Sequence, residues 1–325
     1  MPTYDPKGVR LPHFSPATVR KVALASVICF ALLVLSGGAV RLTGSGLGCP
    51  DWPSCYQHHL TAVYSFHPVV EFTNRLVSAA VTVLSAVAFI VTARRTPPRR
   101  DLTLLAAGLV GGIAAQIVLG GLVVLFKLNP YLVAMHFLLT LVILADAIML
   151  YHLAGARATP AEPVVGRDLV RLARLQLCTL ALVTLVGTTV TGAGPHAGGA
   201  GAKRIAIAFR DIAEAHSTVA LFLIGLTLAS QFAFHYAKAP EAVLRRGRVF
   251  LEVMVLQGAL GYLQYFLHDA AWVVELHLAG VTTLWIIGIS FYLSLHRHPT
   301  EGAGDGSATM DAPATRGADV LATGT

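Results

Sequence analysis

Charge is scarce in this chain: 13% of its 325 residues are Asp, Glu, Lys or Arg, about half the share of an ordinary soluble domain. It has no Walker loop, and the glycines of GSGLG at 44–48 do not follow a strand as a dinucleotide fingerprint requires. No small-residue cleavage site follows the first apolar run, so that run reads as a retained helix and not a signal peptide. What fills the chain is apolar. A hydrophobic content of 55% and a mean hydropathy of +0.67 exclude a soluble globular domain and indicate a polytopic membrane protein.

Apolar runs of about 20 residues predict eight spans near 20–40, 68–93, 102–126, 131–154, 172–191, 208–236, 249–267 and 272–295. The basic residues sort to one side of these spans. They cluster at Lys7, Arg10, Arg20 and Lys21, at Arg94, Arg95, Arg99 and Arg100, at Arg157, Arg167, Arg171 and Arg174, and at Lys238, Arg245, Arg246 and Arg248. Arg297 and Arg316 follow in the tail. The positive-inside rule makes that side cytoplasmic, with both termini inside. Topology thereby accounts for the net charge of +7, and no nucleic-acid partner is called for.

The second half echoes the first. His136 in AMHFLLTLVI is separated from His277 in ELHLAGVTTLW by the same interval that separates Gln116 from Gln257. At nearly that interval His216 falls opposite Asn74. The expected architecture is therefore all-α, with eight transmembrane helices arranged as two tandem four-helix bundles related by internal duplication. A cytoplasmic N-terminus (1–19) leads to the first bundle (20–154). A cytoplasmic linker (155–171) joins it to the second (172–295), and the tail (296–325) reads as disordered. Cys29 and Cys178 read as small core residues. Cys49 and Cys55, in the outward loop GSGLGCPDWPSCYQ, are either a disulfide, which an oxidising compartment permits, or two free thiols.

Histidine in a membrane span is costly and marks a functional site by default. Asn74, His136, His216 and His277 each sit about 5–9 residues inside the outer end of a helix, roughly 8–13 Å below the surface. A lone buried histidine is ordinarily explained by a hydrogen bond to a neighbouring helix. Two at corresponding depth on helices that can face one another, His216 and His277, favour bis-histidine ligation of a haem iron, a closed arrangement suited to electron transfer. Zinc or copper fits less well, because Glu214 and Glu275 are each angled off the histidine face. In the first half Asn74 stands where His216 stands in the second, so the His136 site is looser and open on one face. Glu71 shares the Asn74 face, suggesting proton or carbocation handling, or alternatively a structural pair with Arg75 or Arg41. Arg75 and Arg41 also suit haem propionates; Arg210 in the second half suits either a propionate or a plain place in the interface. His67 reads as interfacial, and the loop histidines His58, His59, His196 and His268 as solvated.

The run GGAVRLTGSGLGCPDWPSC (37–55), VEFTNR (70–75) and the helix histidines resemble the haem A synthase family, in particular its actinobacterial-type members, over roughly 20–295. That resemblance implies an eight-helix oxidoreductase of the bacterial plasma membrane. It would oxidise the C8 methyl of haem O to the formyl of haem A, for cytochrome oxidase assembly. It also implies a haem b cofactor on His216 and His277, substrate haem near His136, a glutamate corresponding to Glu71, and a loop cysteine pair at Cys49 and Cys55. Implied partners are haem O itself, haem O synthase upstream and a membrane electron donor; a homo-oligomer is compatible with the pattern. The family more often reads Glu-x-x-His-Arg where this chain has Glu71-Phe-Thr-Asn74-Arg75, which keeps Asn74 as a pocket-lining residue. Two other classes are a non-catalytic di-haem b-type conduit, which needs two comparable centres, and an inverted-repeat transporter, which needs helices broken at mid-membrane.

Overall fold

The computed structural model describes residues 13–57, 59–156, 161–199 and 201–297. Lys7, Arg10, His58, Arg157, His298 and the tail from Thr300 lie outside the described residues. The helices are α1 (Pro16–Leu42), α2 (Phe66–Ala93), α3 (Arg100–Leu125), α4 (Pro130–Ala154), α5 (Arg167–Ala193), α6 (Phe209–Tyr236), α7 (Glu241–Phe266) and α8 (Ala271–Leu293). Each is long and apolar enough to cross a membrane, and the protein is a multi-pass membrane protein.

Local chemistry sets the helix ends. Ser15 caps α1 by accepting from the Thr18 amide at 3.2 Å, with Pro16 at the first helical position. Asn129 does the same for α4, accepting from Tyr131 at 3.0 Å ahead of Pro130. Such caps satisfy amides that have no partner inside the helix. The α3–α4 and α7–α8 turns each use two consecutive residues with positive φ, Lys127 and Leu128 in one, His268 and Asp269 in the other.

Two helices begin earlier than hydropathy suggests. Helix α5 starts at Arg167 and α7 at Glu241, because both open with charged turns (RDLVRLAR and EAVLRRGR) that lie ahead of the apolar run. Between α4 and α5, Glu162–Pro163 forms strand β1, paired antiparallel with His296–Arg297 as β2. The linker therefore closes onto the residues that follow α8.

Helices α1 to α4 pack in a ring of neighbours, α5 to α8 form a second ring, and α8 and α4 lie along the seam between them, against α1 and α5. One apolar core centres on Phe30, Leu102, Leu109, Leu144 and Leu150, the other on Phe234, Phe250 and Phe291. Trp285 of α8 packs on both and donates its indole N–H to Leu141 O of α4 at 2.8 Å. One end of the molecule is rich in arginine; Arg99 there donates to Ala156 O at 2.7 Å, and Arg95 is buried. The opposite end carries the cysteine loop and the loop between α5 and α6. Cys178 is exposed on the helix surface and not in the core, while Cys29 is half-buried.

Candidate functional site

Asn74, His136, His216 and His277 all lie at the cysteine-loop end. His136 and His277 are the seventh residues of α4 and α8, His216 the eighth of α6, and Asn74 the ninth of α2. Helical rise of about 1.5 Å per residue puts them roughly 9–12 Å below the helix ends.

His216 and His277 come together. Their ring centroids are 6.5 Å apart with an interplanar angle of 66°. The Nδ1 of His216 lies 3.1 Å from Val183 O of α5, which orients the ring and leaves Nε2 as its donor atom. The Nδ1 of His277 is buried without a hydrogen-bond partner. Each ring lies edge-on over a glycine of the neighbouring helix: a Cβ at Gly187 would stand 3.0 Å from His216 Cε1, and one at Gly261 3.2 Å from His277 Cε1.

His136 has the same surroundings as His277. A Cβ at Gly120 would stand 3.2 Å from His136 Cε1, and His136 Nδ1 is buried without a partner. Gln116 donates to His136 O at 2.8 Å, and Gln257 donates to His277 O at 2.8 Å. Each glutamine precedes its glycine by one helical turn, so both lie on one helix face. Sequence reading picks out the glutamines, and the structure adds Gly120 and Gly261 to them. The Gln-x-x-x-Gly spacing, present in both halves, is the signal for their shared task of seating a histidine. Gly187 has no such signal.

Asn74 is tied to α1 and accepts from Ser36 Oγ at 2.7 Å. Glu71 and Arg75 turn away from open space and hold the loop. Glu71 is 5% exposed; one oxygen accepts from the Cys49 amide at 2.8 Å and the other from Arg75 at 2.7 Å. Arg75 also donates to Ser54 O, Cys49 O and Asp51 O at 2.9, 3.0 and 3.2 Å. Of the two structural partners expected for Glu71, the structure supplies Arg75. Cys49 and Cys55 are disulfide-bonded. Between them Trp52 lies flat on Gly121, next to the glycine that faces His136. The cysteine loop is thus pinned on α2 and reaches across to α3.

Arg41 goes elsewhere. It donates to Thr191 O of α5 at 2.5 Å, bridging the two rings of helices. Arg210 is exposed in the first turn of α6. His67 Nδ1 lies 3.0 Å from Ser45 Oγ. His196, expected to be solvated, is half-buried, with Nε2 2.7 Å from Asp269 O. Glu275, off the histidine face as expected, presses one carboxyl oxygen against Gly38 of α1. Among the described residues there is no group of three or more His, Cys, Asp or Glu able to hold a bare metal ion. The two facing imidazoles of His216 and His277 stand apart from any such group.

Residues 20–289 match the model of a cytochrome oxidase assembly protein family, COX15-CtaA. The chain belongs to that family. Similar curated relatives are named heme A synthase. One from Lysinibacillus sphaericus is 30% identical over 129 residues, covering 39% of this chain and 42% of the relative. One from Geobacillus thermodenitrificans is 33% identical over 132 residues, 38% of this chain and 40% of the relative. One from Staphylococcus saprophyticus is 25% identical over 138 residues, 42% of this chain and 46% of the relative. The chain thus matches under half the length of each of these relatives.

Proposed function

We propose that the chain is a haem A synthase, oxidising the C8 methyl of haem O to a formyl group in a bacterial plasma membrane, with both termini cytoplasmic. The observation that carries this reading is the His216–His277 pair. Their ring centroids are 6.5 Å apart, a spacing at which both imidazoles would reach one metal ion through metal–nitrogen bonds of about 2.0–2.1 Å. His216 and His277 would hold a haem b, which supplies one-electron transfer when bound. Gly187 and Gly261 make room for the two rings, and Val183 O fixes the tautomer of one.

Haem O would occupy the first ring of helices. His136, seated by Gln116 and Gly120, is the iron ligand of that site. Asn74 lines the pocket, held by Ser36, and is a poor iron ligand, so the substrate site stays open on one face. Glu71 and Arg75 place the disulfide loop and Trp52 over this end of α2 and α3. We assign Glu71 a positioning role, since both its oxygens are already engaged by the loop and by Arg75.

Co-expression with a haem O source, followed by pigment extraction, tests the reaction. Haem A should accumulate with the intact chain and fall to background with His136→Ala. Unconverted haem O in the presence of a normal low-spin spectrum would leave a di-haem conduit as the better account. Separately, His216→Ala and His277→Ala should each abolish the low-spin haem b spectrum; retention of that spectrum in both overturns the ligand assignment.

A further inference from the structure

One carboxyl group at the seam has no task in this account. Glu275 of α8 has a fully buried oxygen with no hydrogen-bond partner, lodged where a Cβ on Gly38 of α1 would sit, 2.7 Å from that position. Leu278 closes on the same glycine. An acid in this setting is costly unless it meets a donor.

Directly below it, toward the arginine-rich end, α1 and α8 part to leave an apolar groove of about 240 Å³. Val27, Ala31 and Leu35 line one wall and Ala279, Thr283 and Ile286 the other. From Val27 to Leu35 the groove runs roughly 12 Å along the helix. Its upper end, at Leu35, adjoins Ser36, the residue bonded to Asn74. The seam therefore joins a lone hydrogen-bonding group to an elongated apolar groove that opens on the α1–α8 surface beside the exposed Ile28 and Leu32.

We propose that α1 and α8 form the subsite for the hydroxyalkyl-prenyl substituent of the haem substrate, the hydroxyl donating to Glu275 and the isoprenoid chain lying in the groove. This rests on the haem O reading above. Haem O differs from haem B in carrying a hydroxyethylfarnesyl group in place of a vinyl. Glu275 and the groove match the two parts of that group in order, polar at the ring and apolar beyond. A phospholipid acyl chain fits the lower groove but brings no donor to Glu275. The subsite would let the enzyme reject haem B, which lacks both parts.

The test uses the full chain, resident haem in place, in phosphatidylglycerol nanodiscs titrated with haem O and with haem B. The wild type should bind haem O at least roughly ten-fold more tightly than haem B. Ala31→Phe and Ala279→Phe, which fill the groove from opposite walls, should bring haem O down to the haem B affinity while haem B binding and the low-spin spectrum stay unchanged. Glu275→Leu should lose several-fold of the preference, and Glu275→Gln, whose amide oxygen still accepts, should keep most of it. Equal wild-type affinities for the two haems overturn the proposal. So do phenylalanine variants that retain both the spectrum and the full preference, the result expected if only lipid occupies the groove. If both phenylalanine variants lose the spectrum, the wild-type comparison decides by itself. Failure of the wild type to make haem A in cells would instead count against the parent reading, whichever haem binds.

Discussion

Glu71 shows how a side chain can share a helix face with a site and still serve the backbone beside it. Its two oxygens hold the Cys49 amide and Arg75, and the pair is nearly dry on the glutamate side, with 6% of that side chain exposed against 24% for Arg75. Replacing it by alanine leaves the Cys49 amide without its acceptor and takes the only charged partner among the described residues from the half-buried Arg75, whose remaining acceptors are loop carbonyls. Glu71→Ala should therefore lower stability by about 2–4 kcal/mol, read as a fall in the thermal midpoint in detergent. It should also speed reduction of the Cys49–Cys55 bond by a water-soluble reductant. An unchanged reduction rate would contradict the clamp. Spacing to Asn74 is what marks Glu71 as a site residue, and the structure keeps it at that end of α2. Its partner amide is not legible, since nothing in the spacing of Glu71 and Cys49 says how the long loop between α1 and α2 folds back. The paired histidines are legible, because intramembrane cost makes polar residues conspicuous against apolar runs and the offset between the halves aligns them.

At the scale of helices, α3 with α4 and α7 with α8 repeat one device: a glutamine bonded to a histidine carbonyl and, one turn on, a glycine under the ring. The glutamine engages the extra lone pair of a carbonyl facing a neighbouring helix and locks the vertical register of the pair. Gln257→Leu should therefore cost about 1–3 kcal/mol and raise the rate of haem loss to apomyoglobin several-fold. Gly261→Val should broaden or shift the low-spin spectrum, because a branched side chain cannot fit beneath the ring. A Gly261→Val protein with the wild-type spectrum and haem-loss rate would sink the seating role. Span number and order are readable from hydropathy alone. The starts of α5 and α7 are not, since their opening turns expose charge beyond the apolar layer and are held as helix by backbone hydrogen bonds that hydropathy ignores.

For the whole molecule, the question is what keeps the two rings of helices aligned. Hydrogen bonds that cross the seam include Trp285 to Leu141 O, Arg41 to Thr191 O, and the Gly46 amide to Gly198 O at 2.9 Å. Arg41→Ala and Trp285→Phe should each lower the thermal midpoint by an amount equivalent to about 1–2 kcal/mol, with additive losses in the double variant because the sites lie at different depths. Local sequence offers Arg41 either Glu71 or a propionate; its hydrogen bond to Thr191 O in the other half of the chain is a fact of tertiary packing with no trace in neighbouring residues. These ties have a use beyond stability. Two of them sit at the end opposite the strand pair and one lies mid-helix, so the covalent link from α4 to α5 is only one of several bonds between the halves. Severed between residues 156 and 162 and co-expressed as two polypeptides, the protein should reassemble, with an affinity tag on either fragment retrieving its complement and the pigment together.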